Sequence, residues 1–470
     1  MWKTSWRTAS LAWRGLVWLL IIGLVCPWPL LRAEEMTPQK EKELGRRFHL
    51  KVAATGAIID DPIINKYYKA ITGRIIRAAG LGPGQCSFYI LRSDGINAFA
   101  VPGGFVYMHT ETINSLENEG ELAAIIGHEV AHLTARHFAR RVEGAAGASL
   151  TAIASMLAGA LLASRGGSTA ALGQALMFGG TGATIQSMLA NSREDEAEAD
   201  AKGRQYMIKA GYDARDMYGA FKIMSQKTYQ ISPDIPTYLN THPALASRLA
   251  ITFKDYENAP SPAPDLRYLA FRDRVLAFSG EPRRIQTIMT GRLNQNKNDA
   301  SALHALGLLA VRQQNLGEAD KLMSQALALS PGNPEYLADL GDLSLKRRKP
   351  QEAKNYYEKA GQDHRQAVLG LARACELLND KKRAAALYDR AVNMETETYP
   401  EALELAGRFF GNNGQKSKGH FYLAKYFADI GNLDQAIFHY GEVVKLAEAG
   451  NYKNMAMRET RLLKEIKEAK

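Results

Sequence analysis

The chain has 470 residues, 46% of them hydrophobic, and a formal net charge of +10. At ~100 to 200 residues per domain this length holds two or three hydrophobic cores and argues against a single one. The basic residues are spread along the chain, with no Lys/Arg-rich block interleaved with aromatics, which excludes a nucleic-acid track and leaves a solvated surface with some affinity for anionic partners.

Residues 1–33 read as an export signal. Lys3, Arg7 and Arg14 form a basic start, Leu16 to Val25 is apolar, and Leu31-Arg32-Ala33 offers a small residue at the cut. An uncut anchor is the rival, but Pro27 and Pro29 break the apolar run short of the ~20 residues that span a bilayer. Val25 before Cys26 disfavours lipid attachment there. Removing 1–33 takes away four basic and no acidic side chains, leaving +6 (10 minus 4). Cys86 and Cys375 then remain, in stretches assigned below to different domains, and read as two buried thiols rather than a disulfide.

Pro38 to Gly56 and Asp61 to Gly80 have the pattern of amphipathic helices, and Cys86 to Leu91 that of a short strand. Asn97 to Val101 and Phe105 to Met108 are β-prone runs around Pro102-Gly103-Gly104, a turn signal. This hairpin is either an ordinary core element or an edge whose unpaired backbone groups bind an extended peptide.

From the N-cap Asn118 to Arg140, apolar Leu122, Ile125, Ile126, Val130 and Leu133 recur at helical spacing. His128 and His132 stand one turn apart on this helix, with Glu129 beside the first. That spacing is a zinc-hydrolase pattern: two imidazoles ligate one metal while the carboxylate takes a proton from the attacking water. Two surface histidines in a charged turn are the rival, but the flanking AAIIGHEVAHLTARH is apolar, and burying unpaired imidazoles is costly. His137, five residues after His132, falls off the ligand face.

Residues 144–190 are rich in Ala, Gly and Leu and nearly free of charge, with Arg165 to Ser168 splitting them. Ser149 to Ala163 is short for a membrane span, so a buried helical hairpin over the site is the first expectation, and a hairpin that dips into a membrane or opens as a lid the second. A catalytic zinc needs a third protein ligand, and Ser192 to Asp200 opens a helix carrying five carboxylates. Glu196 and Asp200 share a face, suiting a ligand and a carboxylate that orients a histidine. Spacing alone leaves Glu194 and Glu198 open, and a solvated acidic face accounts for most of the run.

From Asp265 the composition turns to Ala, Leu, Tyr and Lys, and the sequence repeats. Leu306-Gly307, Ala319, Met323 and Ala326 recur as Leu340-Gly341, Ala353, Tyr357 and Ala360, then as Leu371-Ala372, Ala384, Tyr388 and Ala391. A further copy reads Leu423-Ala424, Phe427, Ala436 and Tyr440, after an irregular insertion around Met394 to Lys418, and a degenerate first copy holds Tyr268, Phe271 and Val275. Small residues at a period near 34 are the signature of tetratricopeptide repeats, whose stacked helix pairs leave a concave face for ligands.

The His128 to His132 motif together with the Ser-Arg-x-x-Glu-x-Glu-Ala-Asp run resembles the HtpX-like zinc metallopeptidases, a family that includes the CAAX prenyl protease. The resemblance implies that Glu196, four residues before Asp200, is the third ligand. It extends to Thr241-His242-Pro243 with Arg248 six residues after the histidine. His242 then has two candidate roles, donor to the oxyanion during turnover or fourth zinc ligand holding the enzyme latent, against a structural histidine in a turn. Arg248 would partner Glu196 or Asp200, with a surface ion pair as the rival. Glu129 would remove the proton from water and later pass it to the leaving amine.

The expectation is a mainly α chain: signal peptide 1–33, a zincin-like metallopeptidase domain 34–264 of helices plus a small β-hairpin or sheet, and an α-solenoid of tetratricopeptide repeats 265–470, with one zinc. This layout resembles the BepA-type periplasmic proteases. The resemblance implies a periplasmic endopeptidase, associated with the outer membrane, with a chaperone-like role in assembly and quality control of outer-membrane β-barrel proteins. Its substrates would be misfolded or stalled outer-membrane proteins, its docking partner the β-barrel assembly machinery reached through the repeats, with peripheral membrane association allowed and no nucleic acid. The alternative is a chaperone or adaptor acting mainly through the repeats, with a latent protease site.

Overall fold

A computed structural model describes residues 36–144, 191–231, 242, 248–250, 252, 265–394, 399–446 and 450–468. The expected signal and nearly all of the apolar 144–190 segment lie outside the described residues. Among the described residues Cys86, half-buried, and Cys375, buried, are free thiols.

Helices α1 (Pro38–Ala54) and α2 (Pro62–Ala78) each start on a proline preceded by a capping side chain. Thr37 accepts from the Lys40 amide, and Asp61 from those of Ile63 and Ile64, so the first turns lose no donors to burial. Strands β1 (Ser87–Leu91), β2 (Ala98–Val101) and β3 (Phe105–His109) form a sheet in the order β1-β3-β2. β2 and β3 are the expected hairpin, while β1 joins β3 in parallel. The turn needs its glycine: Gly104 has φ 88°, and a Cβ there would stand 2.0 Å from the Gln85 carbonyl oxygen.

After the short α3 (Thr110–Ser115) comes α4 (Glu119–Thr134), capped by Asn118 as expected. The expected run to Arg140 is interrupted, however. Arg136 takes a left-handed φ of 53°, and a second helix, α5 (His137–Gly144), begins directly after it. That conformation costs a non-glycine residue roughly 1 kcal/mol. It is held by contacts the sequence does not announce, from the Arg136 guanidinium to Glu41 and the Met36 carbonyl. Helix α6 (Arg193–Lys209) opens with a reciprocal capping box between Ser192 and Asp195, and α7 (Arg215–Ile231) follows.

Ile64, Tyr68, Ile71 and Ile75 of α2, Ile125 and Val130 of α4, and Phe221 and Met224 of α7 share one core. Tyr268, Phe271 and Val275 of α8 (Leu266–Ser279) belong to it too, so the first helix after residue 265 is built into the core that carries the His128 helix.

Helix α9 (Pro282–Gln295) packs on α10 (Ala300–Arg312), and α10, α12 (Pro334–Lys346), α14 (Arg365–Leu377) and α16 (Pro400–Asn412) each pair with the helix that follows, α11 (Leu316–Leu329), α13 (Pro350–Ala360), α15 (Lys381–Asn393) and α17 (Lys416–Asp429). Helices α18 (Leu433–Lys445) and α19 (Asn451–Glu468) close the array. The recurrent small residues sit where paired helices touch. A Cβ on Gly307 would lie 2.6 Å from Met323 Cγ, and one on Gly341 2.4 Å from Tyr357 Cε1. The frame of the last copy needs correction. Met394 to Lys418 is no irregular insertion, since it contains α16, and Gly407 on α16 meets Leu423 on α17, with 3.0 Å between a built Cβ and the Leu423 nitrogen. Leu423-Ala424 therefore lies on the second helix of a pair; the same spacing of small residues serves both partners in a helix contact, so spacing alone misplaced the start of the copy.

The array curls back onto the first part of the chain. Gly431, in the turn after α17, has φ 73° and approaches α1 so closely that a Cβ would lie 2.4 Å from the Leu50 carbonyl oxygen. Leu50 itself belongs to the core of the repeats. A contact between the repeat array and the chain's own α1 and α2 thus covers part of the array. At its centre, fully buried Arg274 of α8 forms a fork with Asp61, the α2 cap (2.8 and 2.8 Å), and pairs with Asp339 of α12, which His304 Nε2 approaches at 2.9 Å.

Candidate metal centre

Two glycines set the distance between the helices that carry the site. A Cβ on Gly203 of α6 would stand 2.9 Å from the His128 nitrogen, and one on Gly127 of α4 would stand 3.0 Å from the Gly203 carbonyl oxygen. With no side chains between them, the backbones touch, and Glu196 and Asp200, about two turns and one turn before Gly203, reach His128 and His132.

The ring nitrogens of His128 and His132 (both Nε2) are 3.0 Å apart, and His242 Nδ1 is 3.3 Å from the first. Glu196 Oε1 lies 3.3 Å from His132 Nε2 and 3.1 Å from His242 Nδ1, and its Oε2 lies 3.6 Å from His128 Nε2. These atoms outline a tetrahedron. Four ligands at 2.0–2.1 Å from one zinc are separated by about 3.3 Å, the spacing found here. All four residues are buried, and three imidazoles facing one carboxylate at these distances have more lone pairs than protons to place between them. A divalent cation resolves that conflict, so the donor set fits zinc.

Burial pushes the His132 imidazole well below its usual range, which keeps it neutral, the state a ligand needs. Burial alone would raise Glu196, but the imidazoles of His242 and His128 outweigh it and hold the carboxylate well below the ordinary range. Glu129, beside the ligands, is raised by burial, with the opposing pull of His242 and His128 too weak to cancel it. Its Oε1 is buried with no hydrogen-bond partner among the described residues, 3.6 Å from His242 Nε2. A carboxylate kept bare and proton-hungry beside the ligand cluster is equipped to take and return a proton.

The ligands are held from behind. Asp200 Oδ1 stands 2.9 Å from His128 Nδ1, so that ring presents Nε2 to the cluster. Arg248 forks onto Asp200 at 2.8 and 2.8 Å, reaches Glu196 Oε2 at 2.6 Å with its third nitrogen, and lies over the Phe221 ring at 4.2 Å. The two alternatives for Arg248 are thus both realised, and it is no surface pair. Every residue expected at the site is brought together: His128, Glu129, His132, Glu196, Asp200, His242 and Arg248. Glu194 and Glu198, left open by spacing, are not in the ligand cluster. Two neighbours were missed. Asn191 places its side-chain nitrogen 3.5 Å from both His132 Nε2 and His242 Nδ1, and nothing in its sequence context marks it. His137, set aside because it falls off a continuous helix, lies 2.7 Å from His132 because the helix is not continuous.

The sequence model of peptidase family M48 matches residues 62–252, a span that contains every residue of the cluster. The chain is 27% identical over 433 residues to the beta-barrel assembly-enhancing protease of Escherichia coli (strain K12), covering 87% of this chain and 81% of that protein. It is 27% identical over 415 residues to the protein of the same name in Yersinia pestis, covering 85% and 82%. To the mitochondrial metalloendopeptidase OMA1 of Schizosaccharomyces pombe it is 28% identical over 183 residues, covering 39% of this chain and 50% of that one. Residues 62–252 thus resemble a peptidase family M48 domain and carry the whole ligand cluster, and the chain is a zinc-dependent metallopeptidase.

Proposed function

We propose that the chain is a periplasmic endopeptidase that assists assembly of outer-membrane β-barrel proteins and degrades those that stall, with a peptidase domain at 34–264, a repeat domain at 265–470 and export through a signal cleaved after Ala33. The observation that carries the reading is the buried tetrahedron of His128, His132, Glu196 and His242 with Glu129 bare beside it. The names and the wide coverage of the Escherichia coli and Yersinia pestis relatives support the substrate class. No helix among the described residues is long and apolar enough to cross a membrane.

His128, His132 and Glu196 hold the zinc, and Asp200 and Arg248 fix their orientation. Bound zinc supplies a Lewis acid that acidifies water and polarises a peptide carbonyl. Glu129 takes the proton from the attacking water and delivers it to the leaving amine. An extended substrate lies along the β2 edge, whose antiparallel partner on its other side is β3. His242 lies among the ligand atoms and would be a fourth zinc ligand, which favours the latent state over an oxyanion donor already in place: its imidazole would have to leave before a carbonyl enters. In that latent state the repeats act on their own as a chaperone or adaptor surface.

Glu129→Gln tests the catalytic reading. The variant is expected to bind one zinc per chain like wild type while peptide hydrolysis falls by a factor of ~100 to 10,000. Unchanged hydrolysis in a zinc-loaded variant contradicts it, and full support of barrel assembly by the variant assigns that role to the repeats.

A further inference from the structure

We propose that His137 is a positioning residue for the metal centre, the second member of a chain that runs from the metal ligand His132 through His137 to Glu198 and fixes which nitrogen His132 presents. The inference rests on the zinc-site reading above. His132 Nδ1 faces His137 Nδ1 at 2.7 Å, and His137 Nε2 faces Glu198 Oε2 at 3.1 Å and Asp195 Oδ1 at 3.5 Å. One proton, and only one, belongs between two ring nitrogens at that separation. When His132 gives Nε2 to the cluster, its neutral ring carries the proton on Nδ1, so His137 Nδ1 accepts and its own proton sits on Nε2, where the carboxylates wait. With both rings neutral, proton placement is therefore consistent along the whole chain, whereas the other neutral tautomer of His132 would leave a His137 lone pair facing the carboxylates.

The arrangement differs from that of the companion ligand. His128 is oriented directly by Asp200 at 2.9 Å, whereas His132 is oriented through an interposed imidazole, itself fully buried. The far end of the chain is anchored in turn: Arg140 donates to Glu198 (3.0 Å) and to Asp195 (3.3 Å), and Lys202 donates to Glu198 at 2.7 Å. The left-handed Arg136 now has a use. Ending α4 there and restarting at His137 brings the imidazole back under His132, a place that position i+5 of an unbroken helix does not reach. Fixing a ligand's tautomer and ring orientation from behind is worth 10–100-fold in metal affinity at comparable sites.

The test is the zinc dissociation constant, read by competition with a chelator, of wild type, His137→Leu and His137→Gln. Leucine fills the space without an acceptor and is expected to weaken zinc binding by about 10- to 100-fold, while glutamine, whose amide oxygen accepts from His132 Nδ1–H, recovers most of it. A second readout separates orientation from packing. In the cobalt-substituted protein the His132 Nδ1–H resonance is expected to exchange slowly with D2O in wild type and His137→Gln and fast in His137→Leu. Wild-type affinity and slow exchange in His137→Leu overturn the proposal and leave the zinc-site reading intact; absence of zinc binding by wild type overturns that reading itself. If His137→Leu does not fold, a zinc affinity of His137→Gln weakened by 100-fold or more overturns the proposal, and wild-type-like affinity supports it.

Discussion

At the scale of residues, the site was written in the chain to the extent that its groups share one helical face. His128, Glu129 and His132 follow from a five-residue spacing. Glu196 does not, because spacing on α6 left several carboxylates equivalent, and what distinguishes Glu196 is a helix crossing that local periodicity does not encode. His137 was lost for the opposite reason: a rule for continuous helices was applied across a break imposed by Arg136, Glu41 and Met36, residues 95 and 100 positions apart in two of the contacts. His242 supplies the sharpest prediction at this scale. If it occupies the fourth vertex at rest and leaves the open state ~10% or less populated, His242→Ala raises hydrolysis of a peptide substrate about 10-fold or more. Loss of activity in that variant, with zinc retained, returns His242 to the oxyanion role.

The elements were legible where a periodic face of each is buried. Helices α1 and α2, the hairpin and the alternating helices after residue 265 all have that character, and the Asn118 cap of α4 and the small residues of the helix pairs sit as the sequence implied. The frame of the last repeats was not legible, since α17 touches both α16 and α18 and carries small residues on each side. The pairing of α4 with α6 depends on two glycines in backbone contact, neither of which is marked by a turn or a positive φ. Gly203→Ala places a methyl group 2.9 Å from the His128 nitrogen, with backbone and no flexible side chain in the way. The helices must move apart, at an expected cost of about 1–3 kcal/mol in chemical denaturation together with weaker zinc binding, as Glu196 is carried with α6. Wild-type stability and affinity in that variant contradict the account of the crossing.

For the whole molecule, the sequence implied a peptidase part followed by a repeat part, and the structure packs the second against the first. Arg274 is where the two are tied, through Asp61 on one side and Asp339 on the other. Burial would raise Asp339, but the Arg274 guanidinium and His304 hold it far below the usual carboxylate range. A depressed acid stabilises the fold above the pKa of the unfolded group, about 3.9, and that contribution is lost as pH falls toward the folded value. Arg274→Ala, which strands two buried carboxylates, is expected to cost about 3–5 kcal/mol at neutral pH, with the difference from wild type shrinking below about pH 4. A pH-independent difference contradicts this reading of the junction. The same helix joins the junction to the core of the site: α8 carries Arg274 and also Tyr268, Phe271 and Val275 in the core behind α4.

The central claim is that one zinc sits among three imidazoles and one carboxylate, with His242 as the removable member. X-ray absorption at the zinc edge counts these ligands directly. Three imidazoles in the resting wild-type protein and two in His242→Ala are the predicted result; two in both, or no stoichiometric zinc, contradicts it.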